Sequence, residues 1–115
     1  MATIEKYSFG SISIDGRAYQ KDLIVYADRV EEGWWRKEGH RLQIEDLRGV
    51  LADPPEVLVV GQGDSARMQI DPRVSEALAM LDVKLIAAPT KKACDEFNRL
   101  CAQGRKVVAA LHLTC

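Results

Sequence analysis

Histidine and cysteine are scarce in this sequence, and their scarcity removes several kinds of chemistry. There are two histidines, His40 and His112, and three cysteines, Cys94, Cys101 and Cys115, with no C-x-x-C pair. No metal-ligand spacing is present, so no metal is expected. Cys94 and Cys101 fall in a stretch that reads as helix, which places them about 10.5 Å apart at ~1.5 Å per residue. A disulfide needs Cα atoms within roughly 7 Å, so the cysteines read as reduced and mostly buried. An excess of one charge is also missing. Sixteen basic residues against seventeen acidic ones leave a net charge of −1. That balance supplies no field to hold nucleic acid or an anionic membrane. The apolar runs fall far short of the roughly 20 residues of a membrane span. The opening MATIEKYSFG has no apolar core of a signal peptide and no Arg/Ser-rich amphipathic stretch. A cytoplasmic chain without membrane insertion is the expectation. Repeats, low-complexity tracts and internal linkers are absent as well, so residues 1–115 read as a single domain able to bury a core unaided.

The patterns that are present change character midway. Ser11–Ile14 alternates, Asp15-Gly16 is a hairpin turn signal, and Arg17-Ala18-Tyr19 returns. Asp22–Tyr26 reads as a further strand, and the pattern breaks over Ala27–Gly33. From Gln43 the period becomes helical, with Ile44, Leu47 and Val50 or Leu51 on one face and Asp53-Pro54-Pro55 as the stop. Val57–Val60 is a buried strand, and Asp71-Pro72 starts a helix with Val74, Ala77, Leu78 and Leu81 inward. Val83–Ala87 is the next strand. Thr90 is the expected cap of a helix that turns Ala93, Phe97, Leu100 and Cys101 inward and ends at Gly104. Val107–Leu113 is apolar on both faces and therefore central. The second half reads βαβαβ, an α/β arrangement with a largely parallel sheet and right-handed crossovers, and the first half adds a β-meander.

Three motifs invite a chemical reading. Gly61-Gln62-Gly63-Asp64-Ser65-Ala66 is the looser form of the dinucleotide fingerprint. A pyrophosphate held there would need a helix N-terminus beginning within the motif, whereas the next helix starts at Asp71-Pro72. The acidic residue expected about 20 residues on is also missing, since that strand ends Ala87-Ala88-Pro89. No cofactor is expected, and the glycines read as shaping the loop that leaves the strand. Ser65 would need a nearby histidine to be a nucleophile. Arg67 also stands where the last glycine of a nucleophile elbow belongs, so no catalytic residue is assigned. Cys115 carries the chain's own carboxylate, an adjacent charge that disfavours a reactive thiolate. Thr90-Lys91-Lys92 puts cations against a helix N-terminus, where an anion would be welcome. The sharpest feature is Trp34-Trp35-Arg36. Tryptophan and arginine are enriched at binding hot spots, and adjacent residues of an extended chain point to opposite sides.

Together these residues carry a resemblance. Phe9-Gly10 before the first hairpin, Trp34-Trp35-Arg36 with His40, Leu58-Val59-Val60-Gly61-Gln62-Gly63, Thr90 with Ala93 and Asn98, and the closing His112-Leu113-Thr114-Cys115 resemble the small α/β domain known as domain of unknown function 498. That family includes a mitochondrial complex I assembly factor and an adipogenesis-associated cytosolic protein. The resemblance covers nearly the whole chain and implies a three-layer sandwich with a mixed, largely parallel sheet and an extra N-terminal β layer. It brings no catalytic activity with it. The expected function is a small non-catalytic module acting through protein–protein contacts, with respiratory-complex assembly as the role implied by resemblance. The alternative is an enzyme or small-anion binder. The candidate surface for a ligand or partner is Trp34, Trp35, Arg36, His40, the Gly61, Gln62, Gly63, Asp64, Ser65 loop, Thr90 and His112.

Overall fold

The computed structural model describes residues 2–115. In chain order the elements are β1 (Ile4–Ser8), β2 (Ser11–Ile14), β3 (Arg17–Tyr19), β4 (Leu23–Val25), β5 (Val30–Glu32), β6 (Arg41–Leu42) and a 3-10 turn (Ile44–Leu47) that runs into α1 (Arg48–Ala52). There follow β7 (Val57–Gln62), β8 (Gln69–Ile70), α2 (Pro72–Met80), β9 (Lys84–Ala88), α3 (Thr90–Ala102) and β10 (Val107–His112). The main sheet has five strands in the order β5-β4-β10-β7-β9. β9, β7 and β10 are parallel, and β4 and β5 join antiparallel, so the sheet is mixed.

The alternation of side chains along the central strands divides the interior in two. Val57, Val59, Val107, Ala109, Leu111, Leu23 and Val25 point into one core with Phe97, Ala93 and Leu100 of α3. Leu58, Val60, Val108, Ala110 and Ile24 point into the other with Val74 and Leu78 of α2 and Val50 of α1. The strand order explains the split. The chain moves outward from β7 to β9 and then back past β7 to β10, so two right-handed crossovers place α2 and α3 on opposite faces. β1, β2 and β3 form a separate antiparallel sheet whose Ile4, Ile12, Ile14 and Tyr19 close the α3-side core.

Local chemistry accounts for the elements. Asp15 (φ 49°) and Gly16 (φ 81°) both adopt left-handed backbone, as a two-residue hairpin turn requires. Asp71 caps α2 by accepting the Arg73 N–H at 2.9 Å, with Pro72 in the first helical position. The free backbone of β1 is closed by a side chain of α3. The Asn98 amide accepts the Ile4 N–H at 2.9 Å and donates to the Ile4 carbonyl at 2.6 Å.

Several boundaries differ from the sequence reading. β1 and β5 are strands without an apolar alternation of their own. β1 reads IEKYS and β5 reads VEE, and both are held by backbone pairing to a neighbour. The helical pattern from Gln43 begins as a 3-10 turn and becomes α-helical only at Arg48. β7 continues through Gly61 and Gln62, so Gly61 is part of the strand and not of the loop that follows. Thr90 is the first residue of α3 and does not cap it, because its hydroxyl is engaged elsewhere.

Candidate functional site

Trp34, Trp35 and Arg36 are held by two aspartates. The Trp34 N–H donates to the Asp22 carbonyl at 2.8 Å, and its indole Nε1 donates to the Asp46 carbonyl at 2.9 Å. The Lys37 N–H donates to Asp46 Oδ1 at 3.1 Å. Trp34 is half-buried, and the Arg36 guanidinium lies 4.7 Å from its ring centroid, a stacked cation–π contact. Between these anchors Trp35 points outward and is 77% exposed. It lines a shallow groove of about 430 Å³ with Lys37, Glu45, Asp46 and Arg48.

Arg36 does the opposite. It is 8% exposed and turns toward the end of β10. The sequence reading placed it on the candidate surface; the structure buries it, and the carboxylate facing it is Asp22. Nη1 lies 2.9 Å from Asp22 Oδ2, but its N–H directions miss the oxygen, so the contact is ionic and not a good hydrogen bond. The Nη2 hydrogen bond goes to the Gly39 carbonyl at 2.9 Å. His112 completes the cluster with Nδ1 2.7 Å from Asp22 Oδ2. A carboxylate can only accept, so Nδ1 carries the proton. The 3.1 Å approach of Arg36 Nη2 to the same nitrogen is therefore a contact between donors. The other oxygen of Asp22 accepts the Leu113 N–H at 2.8 Å. Burial pushes the Asp22 carboxyl up, but the bonds from His112 and Leu113, with the charges of His112 and Arg36, outweigh it and hold the group below its ordinary value. Nε2 of His112 is buried with no hydrogen-bond partner among the described residues. The exposed His40 ring stands edge-on to His112 at 5.9 Å between centroids.

The glycine motif has a packing explanation at both glycines. A Cβ on Gly61 would lie 2.9 Å from both Thr90 Oγ1 and Leu111 Cδ2, so its absence lets the start of α3 close onto the sheet. Gly63 adopts φ +103°, and a Cβ there would sit on the backbone carbonyl of Cys115. Residues 113–115 fold over this loop. Asp64 N–H donates to the Thr114 carbonyl at 2.6 Å, Arg67 N–H to the Cys115 carbonyl at 3.2 Å, and Tyr7 Oη to the Leu113 carbonyl at 2.8 Å. Burial, with the Asp64 charge adding to it, pushes the Tyr7 phenol up to about 12. Thr90 is fully buried. Its Oγ1 donates to the His112 carbonyl at 2.6 Å and accepts the Gly63 N–H at 2.9 Å, and its own N–H donates to the Gly63 carbonyl at 3.1 Å. Gln62 Nε2 donates to the Met68 carbonyl at 3.0 Å. The N–H groups of Gly63, Asp64 and Arg67, which could otherwise cradle a phosphate, are thus taken by the chain itself, while Asp64 and Ser65 stand exposed at the loop tip.

A family model described as "Protein of unknown function (DUF498/DUF598)" matches residues 4–112. The chain belongs to this DUF498/DUF598 family. Its fold is shared by solved structures of the same size. MT938 is 27% identical over the whole of both chains, with a TM-score of 0.83. The conserved hypothetical protein PH1505 from Pyrococcus horikoshii OT3 is 28% identical over 98% of this chain and 99% of that one, with a TM-score of 0.80. An outer membrane protein from Bartonella henselae, 23% identical over 99% and 96% of the two chains with a TM-score of 0.82, shares the fold alone. In the present member of the family no helix is long and apolar enough to cross a membrane, among the described residues.

Of the candidate residues, the fold brings Arg36, His40 and His112 into one cluster and joins it through the His112 carbonyl to Thr90 and Gly63. Trp35 stands apart on the surface. Asp22 is the residue the sequence reading did not single out. In sequence it is an ordinary polar residue at the start of an expected strand, and its partners are 90 positions away at His112 and 91 at Leu113. The cysteines are free, and burial pushes the Cys94 thiol up to about 12.

Proposed function

We propose that this member of the DUF498/DUF598 family is a non-catalytic recognition module whose contact point is Trp35. One observation carries the reading: a tryptophan 77% exposed, flanked on both sides by residues locked inward. Ring area in water is recovered on contact at roughly 25 cal/mol per Å². Because the backbone on either side is already fixed, little ordering opposes binding. Lys37, Arg48 and Glu45 around the groove offer charges of both signs for the rim of such a contact. The family resemblance makes a subunit of a respiratory complex under assembly the first partner class to test, in the cytoplasm or after delivery to the organelle.

The test is site-specific photo-crosslinking in native lysate, with the photoreactive residue at position 48 on the Trp35 groove in one sample and at position 65 in another. Position 48 should give a discrete protein adduct, and Trp35→Ala should weaken capture of that partner about 30-fold or more, the effect of losing a hot spot. No adduct at position 48, or capture indifferent to Trp35→Ala, overturns the reading. The second reading, a small-anion binder or enzyme at the 61–65 loop with Thr90, Arg36 and a histidine, has one observation in its favour. Nε2 of His112 is a buried nitrogen without a partner. A small metabolite that raises the melting temperature of the parent but not of His112→Phe would favour it.

A further inference from the structure

We propose that β9 is a self-pairing edge, through which two copies of this chain join their sheets antiparallel about a two-fold axis at Ile86. β9 is the last strand on its side of the main sheet and bonds only β7. The Lys84 N–H donates to the Glu56 carbonyl at 3.0 Å, so Lys84, Ile86 and Ala88 direct their backbone groups toward β7. Leu85 and Ala87, between them, direct both their N–H and C=O groups outward, and no protein partner takes these groups among the described residues.

The spacing of those free groups is self-complementary. With Ile86 facing its own copy across the axis, Leu85 stands opposite the second copy's Ala87, and each such pair exchanges two N–H···O=C bonds. Two pairs give four bonds, and every outward group of both strands is satisfied. The same register sets Lys84 opposite an alanine, so no like charges meet. A register slip of one residue would set Leu85 and Ala87 opposite residues whose backbone groups are directed toward β7 and lose the match.

Two other edges are defended. β5 carries Glu31 and Glu32. β1 is closed by the two hydrogen bonds of Asn98. β9 has only Lys84 at its start, and its Leu85 and Ile86 are half-buried apolar residues. Exposed apolar area also gathers beside it. Met80 (88% exposed) and Leu81 (46%) end α2, which packs on β9 and leads into it. This surface is separate from Trp35, so its test does not depend on the partner reading.

Sedimentation equilibrium across a concentration series, with amide exchange read by NMR at its two ends, decides the matter. The expected result is a reversible dimer in which the Leu85 and Ala87 amides exchange at least about tenfold more slowly at the high end, while the Ile86 amide is unaffected. Ala87→Pro removes an outward N–H at a position where an edge strand tolerates proline, and should weaken the dimer by about a hundredfold or more. A chain that stays monomeric to about 1 mM, a dimer indifferent to Ala87→Pro, or concentration-dependent protection at other amides overturns the proposal. If Ala87→Pro fails to fold, the exchange pattern of the unmodified chain decides alone.

Discussion

Trp34, Trp35 and Arg36 are neighbours in the chain with separate physical fates, and single substitutions should expose the difference. Trp35 touches little protein, so Trp35→Ala should change stability by no more than about 0.5 kcal/mol, as surface changes do. Arg36 is the cation facing Asp22 in a buried cluster, and Arg36→Ala should cost about 3–5 kcal/mol because a carboxylate is left buried beside fewer partners. Thermal melts of the two variants side by side check this; equal losses would mean that Trp35 is packed or that Arg36 is solvated. Asp22 adds a pH dependence with a definite sign. Its folded value lies below the ordinary 3.8, so its contribution to stability is present above that value and is lost as pH falls through the depressed one. Asp22→Asn should therefore destabilise most near neutral pH, and the gap to the parent should close as the pH falls through the depressed value. Urea melts at the two ends of that range measure it, and a gap that persists in acid would assign the loss to packing.

At the scale of elements, the turn of residues 61–68 and the closing residues 113–115 form one unit. Gly63 is the position where this shows, because φ +103° strains any other residue and a Cβ would strike the Cys115 carbonyl. Gly63→Ala should destabilise by about 2–4 kcal/mol, combining backbone strain with displacement of the tail. In a chain lacking Thr114 and Cys115, the same substitution should cost only the strain, about 1–3 kcal/mol. Chemical melts of the four proteins give the coupling directly, and an equal cost with and without the tail would refute it. Elements whose own residues carry the pattern were legible in the sequence: the Asp15-Gly16 hairpin, the Asp71-Pro72 helix start, and β10, whose apolar run on both faces marks a central strand. β1 and β5 were not, since backbone pairing with the neighbouring strand, and not side-chain alternation of their own, makes them strands. The Gly61 and Gly63 motif was visible, but its reason was not, because the atoms that exclude a Cβ come from residues 90, 111 and 115. The alternation of Trp34 and Trp35 was legible; the burial of Arg36 was not, because Asp22 precedes it by a hairpin's length and His112 lies at the far end of the chain.

The whole molecule is tied together by its last strand. β10 lies between β4 and β7, and β4 reaches the parallel part of the sheet only through it. β10 also supplies alternate side chains to both cores and carries His112 into the Asp22–Arg36 cluster. Neither the meander half nor the βαβα half can complete a core before residues 107–112 insert between them, so folding and unfolding should be one event. The tryptophans lie in the first half and the long helices in the second, which provides independent reporters of the two. Tryptophan emission and helical circular dichroism should therefore share one midpoint in a denaturant titration, the mark of a two-state domain. A chain ending at Lys106 should show neither a folded tryptophan environment nor protected amides in β4 and β7. Its two halves lose their common neighbour together, and each is left with one unpaired strand edge and half-covered apolar faces. Separate midpoints in the full chain, or persistent protection of β7 and β9 in the shortened one, would show that the parallel half stands alone and that β10 only docks onto it.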